Sequence, residues 1–281
     1  LIGVEMAEML RTRDIEVTML VREDGFWSNV LPKQDAEMIS RHIVSHGVDL
    51  RHNSELDKIL DDGKGNGRAV LTKDGEEIPC SVVGITTGVK PQISFLQHSK
   101  IETDKGILVN RKLETNIEDV HAIGDCAQQR EPIGNRPPVE AVWYTGRMMG
   151  EALAQTICGK PFEYNPGNWF NSAKFFDIEY QTYGWVFSES KLKDYEAQFH
   201  WKCASDLRCV TISYNKNSNE FLGINTFGIR MKHEVFDKWL NEKRSVDYVI
   251  QNLKQANFDP EFYRKYEKEI QSKFFNQSVN A

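Results

Sequence analysis

The sequence has no apolar run long enough to span a bilayer and no cationic leader of the secretory type, so a cytoplasmic location is expected. It also lacks an excess of positive charge. Its 35 basic and 41 acidic residues leave a formal net charge of −6, which gives no basic field to attract nucleic acid or anionic lipid. Cysteine is scarce. The five present, Cys80, Cys126, Cys158, Cys203 and Cys209, are scattered and odd in number, which suits a reducing compartment and argues against a disulfide framework. Only Cys203 and Cys209 lie close together. No second Cys or His pair matches them, so they read as strand residues flanking a turn, and no metal site is expected.

What is present is enough for a multidomain protein. A chain of 281 residues with 40% hydrophobic residues can bury a core in each of two or three domains. One stretch organises it, Thr115 to Ala127. Val120 to Ile123 reads as a short buried strand that stops at Gly124 and places Asp125 just beyond its C-terminal end, where open α/β sheets bind ligands. Gly124 lets backbone approach a ligand closely. The Asp125 carboxylate can accept hydrogen bonds from a chain of hydroxyls, or can serve as a helix N-cap.

The chain begins inside an element, with neither Met nor strand. An amphipathic helix is already under way, with Ile2, Met6, Met9 and Leu10 along one face. Arg13-Asp14 ends it, and Glu16 to Val21 reads as a β-branched strand, giving a βαβ unit without its first strand and turn. The sequence is therefore expected to be the C-terminal part of a longer protein. Arg22-Glu23-Asp24 follows the second strand. Arg22 could pair with a 2′-phosphate, Glu23 could face ribose hydroxyls, or the arginine could be a solvated loop residue.

A second helix spans residues 34 to 46, with Met38, Ile39, His42 and Ile43 clustered and Gly47 as its C′ residue. His42 and His46 lie four apart with no third ligand evident in the sequence, and solvated or half-buried histidines are expected. Glu55 to Asp61, Gly67 to Lys73 and Glu76 to Cys80 read as an antiparallel meander, followed by a buried strand from Ser81 to Gly88. A loop rich in Pro, Gly and Arg leads from Gln128 into a helix from about Val139 to Ile157. Beyond Pro166 the chain becomes aromatic and strand-like, including Val210 to Tyr214 and Phe221 to Phe227. It then turns helical over Lys232 to Lys243, Ser245 to Leu253, and Asp259 to Phe274 with Pro260 at the first helical position.

The string Thr-x-x-x-x-Val-x-Ala-x-Gly-Asp ending at Asp125 closely resembles the second flavin-binding motif of the FAD- and NAD(P)-dependent pyridine nucleotide oxidoreductases. Gly3 with Glu5 resembles the end of that family's GxGxxGxE dinucleotide motif, and Thr87-Gly88-Val89-Lys90-Pro91 its Thr-Gly-x-x-Pro connector. The segments around Trp169 and Phe176 resemble the C-terminal domain of ferredoxin and rubredoxin reductase-like members.

The resemblance implies an α/β fold. Residues 1–88 would form a Rossmann-like NAD(P)-binding domain, 89–164 the second segment of an FAD-binding domain, and 165–281 an α+β C-terminal domain. It implies FAD and NAD(P)H as cofactors, with NADPH favoured on the strength of Arg22. Gly3, Glu5, Arg22 and Glu23 would face the nicotinamide nucleotide, and Gly88 its ring. Gly124 and Asp125 would hold the ribityl chain, and Val139, Glu140 and Ala141 would lie beside the flavin pyrimidine. Trp169 would lie near the isoalloxazine or serve as a domain-interface residue. No acid–base side chain is implied as catalytic, and the chain lacks both the family's first flavin motif and its redox cysteine pair. The expected partner is a redox protein or a small-molecule electron acceptor, including a quinone or peroxide, with a homodimer among the expected assemblies. The alternative is a non-catalytic flavoprotein like apoptosis-inducing factor that acts through partner binding.

Overall fold

The computed structural model describes residues 1–204, 207–258 and 264–278. They divide into two compact units, one made of Leu1–Thr86 and Phe170–Ala281, the other of Thr87–Trp169.

The first unit opens with helix α1 (Ile2–Arg11), strand β1 (Val17–Leu20), helix α2 (Lys33–Ser45) and strand β2 (Val48–Arg51), and β1 and β2 pair in parallel. Gly47 closes α2 with φ +78°, the left-handed conformation that a glycine adopts without steric cost. Next comes the antiparallel meander β3 (Leu56–Asp61), β4 (Gly67–Thr72) and β5 (Glu77–Pro79), in the order expected. The face of α1 that packs is not the one predicted. Val4 and Ala7 are buried in the core with residues of α2 and with Tyr180, whereas Ile2, Met6, Met9 and Leu10 are all exposed.

The run from Ser81 to Gly88 is not a strand in the structure. It forms no ladder, and Val82 and Ile85 are 86% and 65% exposed. β-branched composition gives a propensity, but a strand exists only where a neighbour supplies backbone hydrogen bonds, and no described strand lies beside this run.

In the second unit, β6 (Ile107–Val109) and β7 (Ala127–Gln129) pair in parallel, and α3 (Trp143–Ile157) packs over a core of Ile107, Val109, Leu113, Ala122, Ala127, Met149, Ala152 and Tyr164. The strand expected at Val120 to Ile123 reduces to an isolated bridge between Glu114 and His121, for the same want of a partner. Helix α3 starts at Trp143 rather than Val139, so Val139, Glu140 and Ala141 lie in the segment before it. Glu140 is engaged there by Arg136 and by the Thr145 hydroxyl, and Val142 is extended.

The chain then returns to the first unit through β8 (Phe170–Phe175), β9 (Ile178–Gly184), β10 (Glu196–Lys202), β11 (Cys209–Asn215) and β12 (Phe221–Phe227). These form one antiparallel sheet in the order β10-β11-β12-β9-β8. The period-two alternation of the strands gives the sheet two buried faces. Phe199, Trp201, Val210, Ile212 and Ile224 face helices α4 (His233–Asn241), α5 (Val246–Asn252) and α6 (Glu267–Ser278). Tyr180, Cys209 and Phe227 join Val4, Ala7, Met38, Ile39 and Ile43 of α1 and α2 in a second core. The stretches 1–86 and 170–281, which fall within the expected 1–88 and 165–281 domains, thus share that core. Ser245 caps α5 as predicted, accepting from the Tyr248 amide. The predicted start of the last helix, Asp259 with Pro260, lies outside the described residues.

Candidate functional site

Gly124 stands at φ +74°, and a Cβ built there would meet nothing within 4 Å, so the backbone lies open on that side. Gly124 to Cys126 form a single 3-10 turn packed against α3. The Gly124 N–H points at the Met149 sulfur, 3.3 Å away, and a Cβ on Gly146 would lie 3.5 Å from the Gly124 Cα. Two glycines therefore let α3 run close beside the turn. Asp125 is exposed and accepts no hydrogen bond from the described residues. The turn's own N-cap is Ile123, so Asp125 is not a cap. Among the described residues no side chain caps the first turn of α3, which leaves its N-terminal amides to other acceptors.

Of the three residues expected at the head of this helix, Ala141 is exposed, Val139 is half-buried against Gly106, and Glu140 is buried. Glu140 accepts from Arg136 Nη1 at 2.7 Å. The other guanidinium nitrogen, Nη2, donates to the carbonyls of Pro166, Gly167 and Asn168 at 3.1, 3.2 and 3.1 Å, and the group lies 5.4 Å from the centre of the Trp169 ring. Arg136 therefore ties two predicted site residues, Glu140 and Trp169, into one cluster. Burial raises the Glu140 pKa, and the adjacent guanidinium opposes the shift. Tyr164 lines a small pocket together with Arg136 and Glu140, and its phenol is pushed up to about 12, first by burial and then by the Glu140 charge. Gly88 is exposed at φ +108°, with open space where a Cβ would be.

The remaining predicted residues lie in the first unit. A Cβ on Gly3 would come within 2.7 Å of Thr86 Oγ1, so a glycine lets the start of α1 meet the 81–86 segment. Glu5 is exposed in the first turn of the helix. Arg22 and Glu23 follow the C-terminal end of β1, where the Glu23 carbonyl accepts the Asn53 amide and the Arg22 charge helps hold the Glu55 carboxyl below its usual range, after the hydrogen bond from Lys73. The structure gathers Gly124 with α3, and Glu140 with Trp169. It leaves Glu5, Ala141 and Asp125 as exposed groups without a shared contact.

Sequence reasoning missed Arg136, one of two arginines in the loop from Gln128 to Pro138. It also missed Asp35. That carboxylate, fully buried at the start of α2, accepts from Thr211 Oγ1 at 2.7 Å and Asn225 Nδ2 at 3.2 Å, with His200 Nδ1 at 3.3 Å. Cys209 lies against it with its thiol pushed well up by burial and then by the Asp35 charge, so this thiol is no nucleophile.

Residues 1–150 match the family described as pyridine nucleotide-disulphide oxidoreductase. The rubredoxin-NAD(+) reductase of Acinetobacter baylyi is 29% identical over 160 residues, covering 57% of this chain and 39% of that protein. The CoA-dependent NAD(P)H sulfur oxidoreductase of Pyrococcus furiosus is 28% identical over 200 residues, covering 70% and 44%. The chain thus spans less than half the length of these curated relatives. Among solved structures, an NAD-dependent persulfide reductase from A. fulgidus superposes with a TM-score of 0.79 at 20% identity, over 99% of this chain and 53% of that one. The ferredoxin reductase for the CYP199A2 system of Rhodopseudomonas palustris gives 0.70 at 18%, over 93% and 61%. The fold is shared with these enzymes. With more than half of its residues matched, the chain belongs to the pyridine nucleotide-disulphide oxidoreductase family.

Proposed function

We propose that the protein is an FAD-dependent NAD(P)H oxidoreductase that passes electrons to a redox protein or a small-molecule acceptor. The observation that carries the reading is the Gly124-Asp125 turn, which offers open backbone, a carboxylate with no partner among the described residues, and an uncapped helix beginning beside it. These features fit a flavin. When bound, FAD would supply two-electron chemistry, accepting hydride from the nicotinamide. Asp125 would accept hydrogen bonds from the ribityl hydroxyls, and Gly124 would let the backbone come close to them. The amides at the head of α3 would direct positive potential toward the pyrimidine edge, with Val139, Glu140 and Ala141 alongside. Arg136 would hold Glu140 and Trp169 in place for that role. Gly88 would lie against the nicotinamide.

In the first unit, Gly3 and the start of α1 would face the pyrophosphate and Glu5 the same nucleotide, with Arg22 on a 2′-phosphate and Glu23 on the ribose. No side chain is assigned a proton-transfer step, because hydride transfer depends on positioning. The relatives named above support a reductase whose acceptor differs from one member to the next.

Asp125→Ala in the complete protein tests the reading. Losing a charge-assisted hydrogen bond costs about 1.5 to 3 kcal/mol, a tenfold to hundredfold weakening, so the variant should purify folded but depleted in flavin. Full flavin content after dialysis would remove Asp125 from the site.

A further inference from the structure

His42 and His46 lie one turn apart on α2, and the fold brings them a third group that the sequence does not reveal. That group is Asp177, in the two-residue turn joining β8 to β9, 135 residues away in the chain from His42. Asp177 Oδ1 stands 2.6 Å from His42 Nε2 and 3.6 Å from His46 Nε2, and the three ligand atoms lie within 4.8 Å of one another. We propose that His42, His46 and Asp177 bind a divalent transition-metal ion of the zinc class, as a clasp between α2 and the hairpin.

The surroundings suit this chemistry. His46 Nδ1 lies 3.0 Å from the His42 carbonyl oxygen, so it is Nδ1 that carries the proton and Nε2 whose lone pair faces the other two groups. Metal-bound histidines are usually oriented in this way, donating from the far ring nitrogen to a carbonyl. His42 is 2% exposed, with Nε2 toward Asp177 and no hydrogen-bond partner for Nδ1 among the described residues.

The ring of Phe176 stacks on His46 at 4.5 Å and meets His42 edge-on at 6.3 Å, forming an apolar wall on one side. The other side opens to solvent, since Asp177 is 75% exposed and His46 is 34% exposed. Three protein ligands with one solvent position is a common arrangement for zinc. Bonds of about 2.0 to 2.1 Å in a tetrahedron put ligand atoms roughly 3.3 Å apart. The His46–Asp177 spacing is near that already, and an exposed carboxylate at a hairpin tip can retreat from His42 by the remaining fraction of an ångström. Two imidazoles and one carboxylate select borderline ions over Ca²⁺ or Mg²⁺, which prefer all-oxygen shells.

A second grouping, Asp35, His200 and Cys209, is a poorer candidate. Its carboxylate already accepts from Thr211 and Asn225, and burial holds its thiol protonated.

The test is titration of the chelator-treated complete protein with Zn²⁺ by calorimetry, alongside Asp177→Asn, His46→Gln and His200→Gln. Wild type should take up one equivalent at this site and melt at a higher temperature with zinc than without. Second-shell partners of metals are worth tenfold to hundredfold in affinity, so loss of a direct ligand should cost at least about tenfold in the first two variants. His200→Gln should bind as wild type does. Co²⁺ as a probe should give the visible absorption of a four-coordinate ion in wild type and lose it in Asp177→Asn, even if that variant is less stable. No uptake by wild type, uptake unchanged in both Asp177→Asn and His46→Gln, or uptake lost in His200→Gln would each overturn the site.

Discussion

Arg136 and Glu140 are both buried and depend on each other, since desolvation penalises each charge and each offsets the other's penalty. Arg136→Ala would leave Glu140 buried without a counter-charge and free three carbonyls. It should cost about 3 kcal/mol, read as a lowered denaturation midpoint with unchanged slope. Arg22 is different because it is exposed at a strand end, so the effect of Arg22→Ala should be on binding rather than on stability. If it faces a 2′-phosphate, the wild-type preference for NADPH should be about five- to thirtyfold in kcat/KM and should vanish in the variant through KM. At this scale the sequence was readable at Gly124, where a glycine expected to take an unusual backbone conformation stands at φ +74°. It was unreadable where the role depends on a distant partner. Nothing in its own neighbourhood marks Asp35 as the acceptor for Thr211 and Asn225, and Asp177 becomes a neighbour of His42 only when the β8–β9 hairpin closes onto α2.

The meander β3–β4–β5, helix α2 and strand β12 follow their sequence patterns because each is specified by its own periodicity and turns. The segments 81–88 and 120–123 have equally strand-like composition yet form no ladder, since pairing is a property of two segments. The start of α3 shifts by four residues for a local reason, as the chain before Trp143 is held by Glu140 and an extended Val142. The contact between α3 and the Gly124 turn is testable at Gly146. Gly146→Ala puts a Cβ at an ordinary 3.5 Å from Gly124 and gains helix propensity, so it should be neutral or stabilising by up to about 1 kcal/mol. Gly146→Val should push the helix off the turn, lowering both the melting temperature and the retention of flavin.

Two stretches far apart in the chain, 1–86 and 170–281, share one core, an arrangement that reading the chain in order could not reveal. Part of that junction should respond to pH. His42 titrates lower in the fold than in the unfolded chain, so below the unfolded value of about 6.5 the unfolded state binds more protons and gains ground. The contribution of His42 is therefore complete above about pH 6.5 and lost as pH falls toward its folded value. His46 and Asp177 face it; desolvation pushes the Asp177 carboxyl up, but the His42 hydrogen bond and the charges of His42 and His46 together hold it below its usual range, so its own loss comes only at more acid pH. Melting of wild type from about pH 7.5 down to 5.5 should show falling stability, and His42→Gln should flatten the slope. For the protein as a whole, the most direct measurement is anaerobic mixing of the purified complete protein with one equivalent of NADPH or NADH while flavin absorbance is followed. Stoichiometric bleaching, weakened in Asp125→Ala in step with lost flavin, is the predicted result. A protein that purifies without flavin, or whose bound flavin stays oxidised with both nucleotides, would contradict the account.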